Sequence, residues 1–352
     1  MPDWEKSMRR SYEYYIVDPN TWRDAKKITT VRSSTINNDE EVESLGSASF
    51  DITNSVGECY IRTYLVTVQN GITEKHPLGT HLVQTPSSAF DGKIRTVTMD
   101  AYTPLIELKE NPPPLGYAVE RDRNIMDSAY DLTKERVRAP VVKPQCSEKL
   151  YDDYIAENGD TWLSYNSGLI ANAKYKYGLD EIGRVLFLPI QETASLQPVY
   201  TFNDDNSSLL LPNITVDHDL FGIPNAIEVI FSTGGKSFHT KIVNDDPNSP
   251  ISTVNRGREL LHRVTDASLF NGPTDEQVDA YARKLLEEMS TLEYTVTFSY
   301  GYRPIRIGDC VRLNYTRADI TDIKAKIISQ SIKCDLDCTV TAKARFTTKL
   351  WR

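Results

Sequence analysis

Apolar and polar residues alternate along much of this chain with a period of two. Ala48, Phe50 and Ile52 alternate with Ser49, Asp51 and Thr53; Tyr64, Val66 and Val68 share one face of residues 61–68, and Val97, Met99 and Ala101 share one face of 94–102. Toward the C-terminus, Leu292, Tyr294, Val296, Phe298 and Tyr300 alternate with polar residues, as do Cys338, Val340, Ala342, Ala344 and Phe346. Such segments are half-buried strands, with one face in a sandwich or barrel core and the other polar. Three stretches follow a helical period instead. The first covers about 122–137, with Ile125, Ala129 and Leu132 on one stripe and Pro140 as its stop. The second begins at Asp160 or Thr161, carries Trp162, Tyr165, Leu169 and Ala173 on one face, and runs toward Gly178. The third opens with a capping box, Thr274 and Gln277, after Pro273, and its stripe is Val278, Tyr281, Leu285 and Met289. Loops fall at Asn111–Gly116, where three successive prolines remove strand donors, at Lys143–Cys146, at Asn203–Ser208 and at Asn244–Pro250. The order of elements predicts an α+β, β-rich protein with mostly antiparallel sheet.

Composition bounds the picture. With 352 residues the chain is long enough for two or three domains of about 100–200 residues each. Forty basic residues against 49 acidic ones give a net charge of −9, so no global basic field draws it to nucleic acid. The N-terminus lacks the apolar core of a secretory signal, and the longest apolar run, Val185–Ile190, has six residues including Pro189, far below the ~20 that span a bilayer. These features predict a soluble, unprocessed protein without membrane insertion. The five cysteines fit a reducing compartment rather than a disulfide framework. Cys334 and Cys338 lie four apart, but no second pair completes a zinc site, and half-buried strand side chains are the expectation.

The search for chemistry returns no nucleophile elbow, phosphate loop, zinc-protease helix or dinucleotide fingerprint. None of the five histidines, His76, His81, His218, His239 and His262, forms a metal-ligand pair on one helix. Asp217-His218-Asp219 is the best titratable cluster, against which a turn capped by Asp217 or Asp219 is the plainer reading. The carboxylates of Asn203–Asn206 and Asn244–Asp246 depart from the calcium-loop pattern and read as Asx turns. Glu157, with Asp152 and Asp153, is the one conceivable glycosidase carboxylate. Arg256, Arg258 and Arg263 lack an aromatic platform and read as inter-subunit salt-bridge partners or as a solvated strand face. Catalytic, cofactor-binding and metal residues are therefore expected to be none.

Several short motifs occur in order. Leu78-Gly79-Thr80-His81-Leu82-Val83 with Thr85-Pro86 resembles a "G-x-[FH]-x-[VL]-x-x-P" hairpin, and Val97–Leu105 resembles a "D-x-Y-D-x-L" turn, with Thr103 and Pro104 departing from it. Asp160-Thr161-Trp162 through Gly183-Arg184-Val185 is similar to a threonine–tryptophan helix followed by a glycine-rich hairpin. Phe221-Gly222-Ile223-Pro224-Asn225 precedes a strand, Asn244–Arg258 reads NDDPNSPISTVNRGR, and Ile307-Gly308-Asp309-Cys310-Val311 matches an "[LI]-G-D-x-V" lead-in to the last hairpin. Together, over residues 31–348, these resemble the minor tail proteins that form the tail hub, or baseplate hub, of long-tailed bacteriophages.

The resemblance implies two barrel-like antiparallel tube-type domains with helix-containing inserted domains. Laid on the loops, it predicts an N-terminal arm at 1–30, a first tube-type domain at 31–110, a helix-containing insertion at 111–190, a second tube-type domain at 191–245 with 292–352, and a helical connection at 246–291. It implies a structural virion protein rather than an enzyme: a homotrimer in the tail tip, made in the host cytoplasm, lining the DNA path. Its partners would be the tail tube or distal tail protein, a tail-tip spike or fibre protein and a tape measure protein, with no specific nucleic acid and no cofactor. Trp4, Tyr12, Tyr14, Tyr15 and Trp22 fit either an arm docked on a neighbour or a packed N-terminal strand. Two alternatives stay open: a carbohydrate-binding tail-tip receptor module, and a tail-associated cell-wall hydrolase that uses Glu157.

Overall fold

A computed structural model describes residues 2–53, 56–90, 92–93, 95–205, 209–233, 236–265 and 274–351. Ile94, Asn206, Ser207, Ser208 and Pro273, named above, lie outside these residues. The elements run in order: β1 (Arg9–Asp18), β2 (Arg23–Ile28), β3 (Val31–Asp39), β4 (Gly46–Ile52), β5 (Cys59–Gln69), β6 (Ile72–Phe90), β7 (Arg95–Tyr102) and the single-turn α1 (Ile106–Lys109). Next come β8 (Ala118–Val119), α2 (Ile125–Lys134), β9 (Tyr154–Ile155), α3 (Trp162–Asn172), β10 (Tyr175–Leu179), β11 (Val185–Pro189), β12 (Pro198–Asn203) and β13 (Leu210–His218). The last third holds β14 (Ala226–Thr233), β15 (Lys236–Val243), the short α4 (Thr253–Arg256), β16 (Leu261–Val264), α5 (Asp275–Met289), β17 (Thr291–Gly301), β18 (Cys310–Tyr315), β19 (Ile320–Lys333) and β20 (Thr339–Lys349).

The chain divides into two compact units, Met1–Ile214 with Thr297–Ala344, and Thr215–Val296 with Arg345–Arg352. The large sheet has the order β13-β17-β20-β19-β3-β4-β7-β6-β5-β1-β2, with β18 paired to β19 and β12 to β18. Among the described residues this order is open, ending at β2 and β13, and the protein is β-rich α+β without the closed sheet of a barrel. The period-two faces expected in β4 and β7 are buried: in β4, Ala48, Phe50 and Ile52 are each at most 3% exposed while Ser49 and Asp51 are half-buried; in β5 the opposite face, Ile61, Thr63, Leu65 and Thr67, is the fully buried one, and Tyr64 and Val68 are half-buried, because both faces of this central strand are covered. One pairing joins distant segments, Ser329 opposite Asp39 through Lys333 opposite Thr35. Most pairs are antiparallel; β12–β18 and β14–β16 are parallel.

In the first unit, β1 lies inside the sheet, paired to β2 and β5, so the first residues form a packed strand. Trp4 sits edge-on to His76 and Tyr302, at 5.0 and 5.3 Å between ring centroids, and Tyr12 donates to the carbonyl of Asp335 at 2.9 Å. Between β7 and β12 a helical layer contributes Leu105, Met126, Ala129, Leu163, Leu169, Ile170 and Tyr177 to a core that it shares with Val17, Trp22, Tyr60 and Leu82. Both larger helices in it start as the sequence dictates. Asn124 caps α2 by accepting from Asp127 N at 2.9 Å, and Thr161 caps α3 in a reciprocal box with Ser164. The second helix ends earlier than expected. It stops at Asn172; Lys174 takes a left-handed φ of 61°, and Gly178 falls within β10.

The second unit has a three-stranded sheet, β15-β14-β16, covered by α5. Val278, Ala282 and Leu286 of α5 bury against Ile227 and Val229, with Tyr281, Leu285, Met289 and Trp351 packed at the margin. The Thr274–Gln277 box is present in both directions, at 3.3 and 3.1 Å.

Candidate functional site

Three constructions collect the residues singled out by the sequence. The first is the loop Asn244–Arg258 in the second unit. Three asparagines hold it. Asn225, fully buried at the start of β14, donates from Nδ2 to the carbonyls of Ile251 and Arg258, each at 3.0 Å, and accepts from Leu260 N at 2.7 Å. Asn244, also fully buried, donates to Ser249 Oγ at 2.9 Å, and its carbonyl accepts from Thr253 N at 2.9 Å. Asn255 donates to the carbonyls of Pro247 and Ser249, each at 2.8 Å. An amide side chain offers donors and an acceptor at once, so each asparagine satisfies loop groups that no strand ladder reaches. Arg256 adds bonds to the carbonyls of Ile223 at 2.7 Å and Leu220 at 3.0 Å. The NDDPNSP…NRGR motif is thus a framework that fixes its own backbone.

The other two arginines separate. Arg263 pairs with Glu228 at 2.6 Å, where His239 also bonds at 2.9 Å, and these two partners hold the Glu228 carboxyl below its ordinary value. Arg258 is exposed. The three do not form one anion site.

The second construction ties the helical layer to the sheet within the first unit. Arg62 on β5 is almost fully buried and donates to Thr80 Oγ1 and Asp24 Oδ1, each at 2.9 Å, and to the carbonyls of Trp22 and Ile182, each at 3.2 Å. The Ile182 carbonyl, at the tip of the β10–β11 hairpin, also accepts from Trp22 Nε1 at 2.8 Å and Thr80 Oγ1 at 2.9 Å. Gly183 permits this approach. Its φ is +78°, and a Cβ there would lie 2.7 Å from Thr80 Cβ. The Gly79-Thr80-His81 and Gly183-Arg184-Val185 motifs therefore meet at one node. Nothing in sequence spacing points to Arg62, whose partners lie up to 120 residues away.

The third is a cavity of about 520 Å³ in the same unit. Its wall includes Glu40, which bonds both Lys176 and Lys326, the latter at 2.8 Å. Burial alone would raise the Glu40 carboxyl, but the two ammonium groups together hold it below its ordinary value. Asp309 of the "I-G-D-x-V" motif accepts from Arg306 N at 2.8 Å, and burial raises its carboxyl. Arg306 pairs in turn with Glu181.

The remaining candidates are turn-formers or packed side chains. Asp219 accepts from Phe221 N at 2.7 Å, His218 packs on Tyr294 at 5.1 Å, and Asp217 is exposed. Asp204 accepts from Thr316 Oγ1 and Asn203 from Asn314 Nδ2. Asp160 caps Glu157 N at 2.8 Å, Asp153 accepts from Arg121 N, and Asp152 from Asp153 N. Cys334 and Cys338 are buried free thiols flanking the β19–β20 loop. Among the described residues, no three His, Cys, Asp or Glu side chains converge as a metal would require.

Comparison with solved structures decides what this architecture is. A tail protein from Neisseria meningitidis MC58 superimposes over 97% of this chain and 98% of its own, with a TM-score of 0.65 at 12% identity. The 43 kDa tail protein of prophage MuSo2 from Shewanella oneidensis covers 95% and 98%, with a TM-score of 0.62 at 10% identity. The chain has the fold of phage tail proteins. Prophage tail protein gp18 from Listeria monocytogenes EGD-e extends the likeness more loosely, covering 94% of both chains with a TM-score of 0.51 at 11% identity. No family model matches the sequence, and no curated protein matches it. The likeness covers nearly the whole chain and rests on shape, because identity is so low.

Proposed function

We propose that this protein is a structural component of a bacteriophage tail, a homotrimeric hub that joins the tail tube to the spike or fibre proteins of the tail tip. The observation that carries this reading is end-to-end coverage of two separate tail proteins, at 95% or more of this chain and 98% of each of theirs. A shared module would align over part of each chain; a shared whole architecture aligns over all of it. The Asn244–Arg258 framework and the Ile182 node support the same role, since both spend motif residues on fixing backbone rather than on presenting reactive groups.

In this reading the tube-type domains are assembled from discontinuous segments, the protein resides in the virion at the tail tip or baseplate, and its net charge of −9 suits a channel that DNA passes without counterion-release binding. The carboxylates around Glu157 serve as turn caps, which favours a structural role over wall hydrolysis. The test is the mass of the purified protein by multi-angle light scattering. A closed trimer gives about 120 kDa, three times the 39.9 kDa chain. A strict monomer at every concentration, both alone and mixed with its tail-tube protein, would overturn the hub assignment.

A further inference from the structure

Two groups of charges line the cavity of the first unit, and neither is balanced. In one, Lys176 of β10 and Lys326 of β19 both pair with Glu40, so two ammonium groups share one carboxylate and a positive charge is left over. In the other, Arg306 pairs with Glu181, while Asp309 makes no ion pair among the described residues and accepts only from Arg306 N at 2.8 Å; here a negative charge is left over. Asp180, also in the lining, is neutralised by Arg184.

The lysine pair can be reached from the cavity. The side chains of Lys176 and Lys326 keep 32% and 19% of their surface exposed. Each ammonium spends one of its three donors on Glu40, Lys176 on Oε2 and Lys326 on Oε1, and the others remain for a second acceptor. Burial holds the Lys326 ammonium below its ordinary value in spite of Glu40, and the neighbouring Lys176 charge adds to the effect; a second anion would relieve both. Beside the pair the wall is aliphatic. In the β10–β11 ladder Lys176 lies opposite Leu188 and Gly178 opposite Leu186, so these positions share one face of the hairpin. A Cβ on Gly178 would strike Leu188 Cδ1, and the glycine thereby gives the leucine room to lie along that face. Leu188 and Ile190 stay 37% and 54% exposed within the lining. The cavity volume lies in the range of small-molecule sites, about 300–1,000 Å³.

We propose that this cavity binds an aliphatic carboxylate, either a free acid or the C-terminal carboxylate of an apolar peptide, with its head bridging Lys176 and Lys326 and its chain lying on Leu186, Leu188 and Ile190. The bound head brings the lysine group to neutrality, and the uncompensated Asp309 disfavours placing the same head in its own part of the lining. The proposal stands independently of the tail reading, since it rests on the cavity alone.

The experiment uses the full chain and four probes: octanoate, 1-octanol, octylamine and N-acetyl-leucyl-leucine. Binding is followed by calorimetry and by the Cε resonances of Lys176 and Lys326. The expected result is saturable octanoate binding that shifts both lysines and weakens with added salt, with 1-octanol about tenfold weaker because it brings no charge to the ammonium groups, and octylamine weaker again. Lys176→Met should weaken octanoate about tenfold and leave 1-octanol unchanged, while Lys176→Arg keeps most of the discrimination. Glu40→Gln, which frees both ammonium groups, should tighten octanoate. N-acetyl-leucyl-leucine binding at least as tightly as octanoate identifies a peptide C-terminus as the ligand; weaker binding identifies a free acid. Equal affinity for octanoate and 1-octanol, octylamine binding as tightly as octanoate, binding that leaves both lysines unshifted, or no saturable binding of octanoate would overturn the proposal. The comparison of probes needs only the wild-type chain, so it decides the matter even if a variant fails to fold.

Discussion

Replacing Asn225 by alanine isolates what the framework loop contributes. The substitution removes three hydrogen bonds at a fully buried position: one accepted from Leu260 N at 2.7 Å and two donated at 3.0 Å to Ile251 and Arg258. Each is worth about 1 kcal/mol net, and the Ile251 carbonyl is left without a partner in a buried setting, so the loss is about 3 kcal/mol. Asn225 opens β14 and bridges to the lead-in of β16, so the effect should be felt by the three-stranded sheet as a unit. Hydrogen exchange resolved by mass spectrometry measures it directly. Peptides from β14 and β16 should exchange roughly a hundredfold faster, since about 1.4 kcal/mol corresponds to a factor of ten. Peptides from β4 and β7, in the other compact unit, serve as the internal reference and should be unchanged. Asn225→Asp keeps the acceptor for Leu260 but turns a carboxylate toward two carbonyls, and should be at least as damaging. Acceleration below threefold in β14 and β16 would refute the claim that this side chain holds the loop.

Arg62→Ala leaves the Asp24 carboxylate and the Ile182 carbonyl without their guanidinium partner, and should lower unfolding free energy in urea by about 3 kcal/mol; a loss under about 1 kcal/mol would mean the node is redundant. Gly183→Ala places a methyl group 2.7 Å from Thr80 Cβ at a left-handed φ, and a drop of about 2 kcal/mol is expected; an unchanged melting temperature would show that the hairpin tip relaxes freely. Glu40 gives a pH signature. Its carboxyl is held below the ordinary 4.5 by Lys176 and Lys326, so it stabilises the fold above that value, and the contribution is lost as pH falls through its lower folded value. The wild type should therefore lose more stability than Glu40→Gln on acidification from about pH 6 to pH 3, as read from urea midpoints; parallel curves would argue against the pairing.

What the sequence made legible was local. The Thr274–Gln277 box works within four residues, so its pattern alone located the start of α5. The alternation of β4 and β17 needed only a two-residue period to declare its buried face. The end of α3 was misjudged because Ala173 continues the apolar stripe, whereas the turn at Lys174 and the strand from Tyr175 follow from pairing with β11, which no helical period encodes. Arg62 and Glu40 were invisible for the same reason. Their partners, Ile182, Lys176 and Lys326, arise from tertiary approach across 120 to 286 residues. The motif residues Asn225, Asn244 and Asn255 were legible as a pattern, but their task as backbone brackets emerged only with the loop in place.

The pairing of β3 with β19 has a consequence for how the chain is made. Thr35 meets Lys333 only after the whole segment between them has left the ribosome, and closing so long a loop is slow. Until then the edge of β3 that β19 will occupy is uncovered, while the smaller unit, whose strands β14, β15 and β16 lie close together in sequence, has all of its sheet in hand. The three-stranded sheet can therefore form while the earlier sheet waits, exposed, for β19, and the Trp351 packing of the smaller unit follows later still. Nascent chains ending before residue 320 should retain protected amides in β14 and β15 yet capture chaperones through β3, and the burden of keeping such a chain from aggregating falls on that interval.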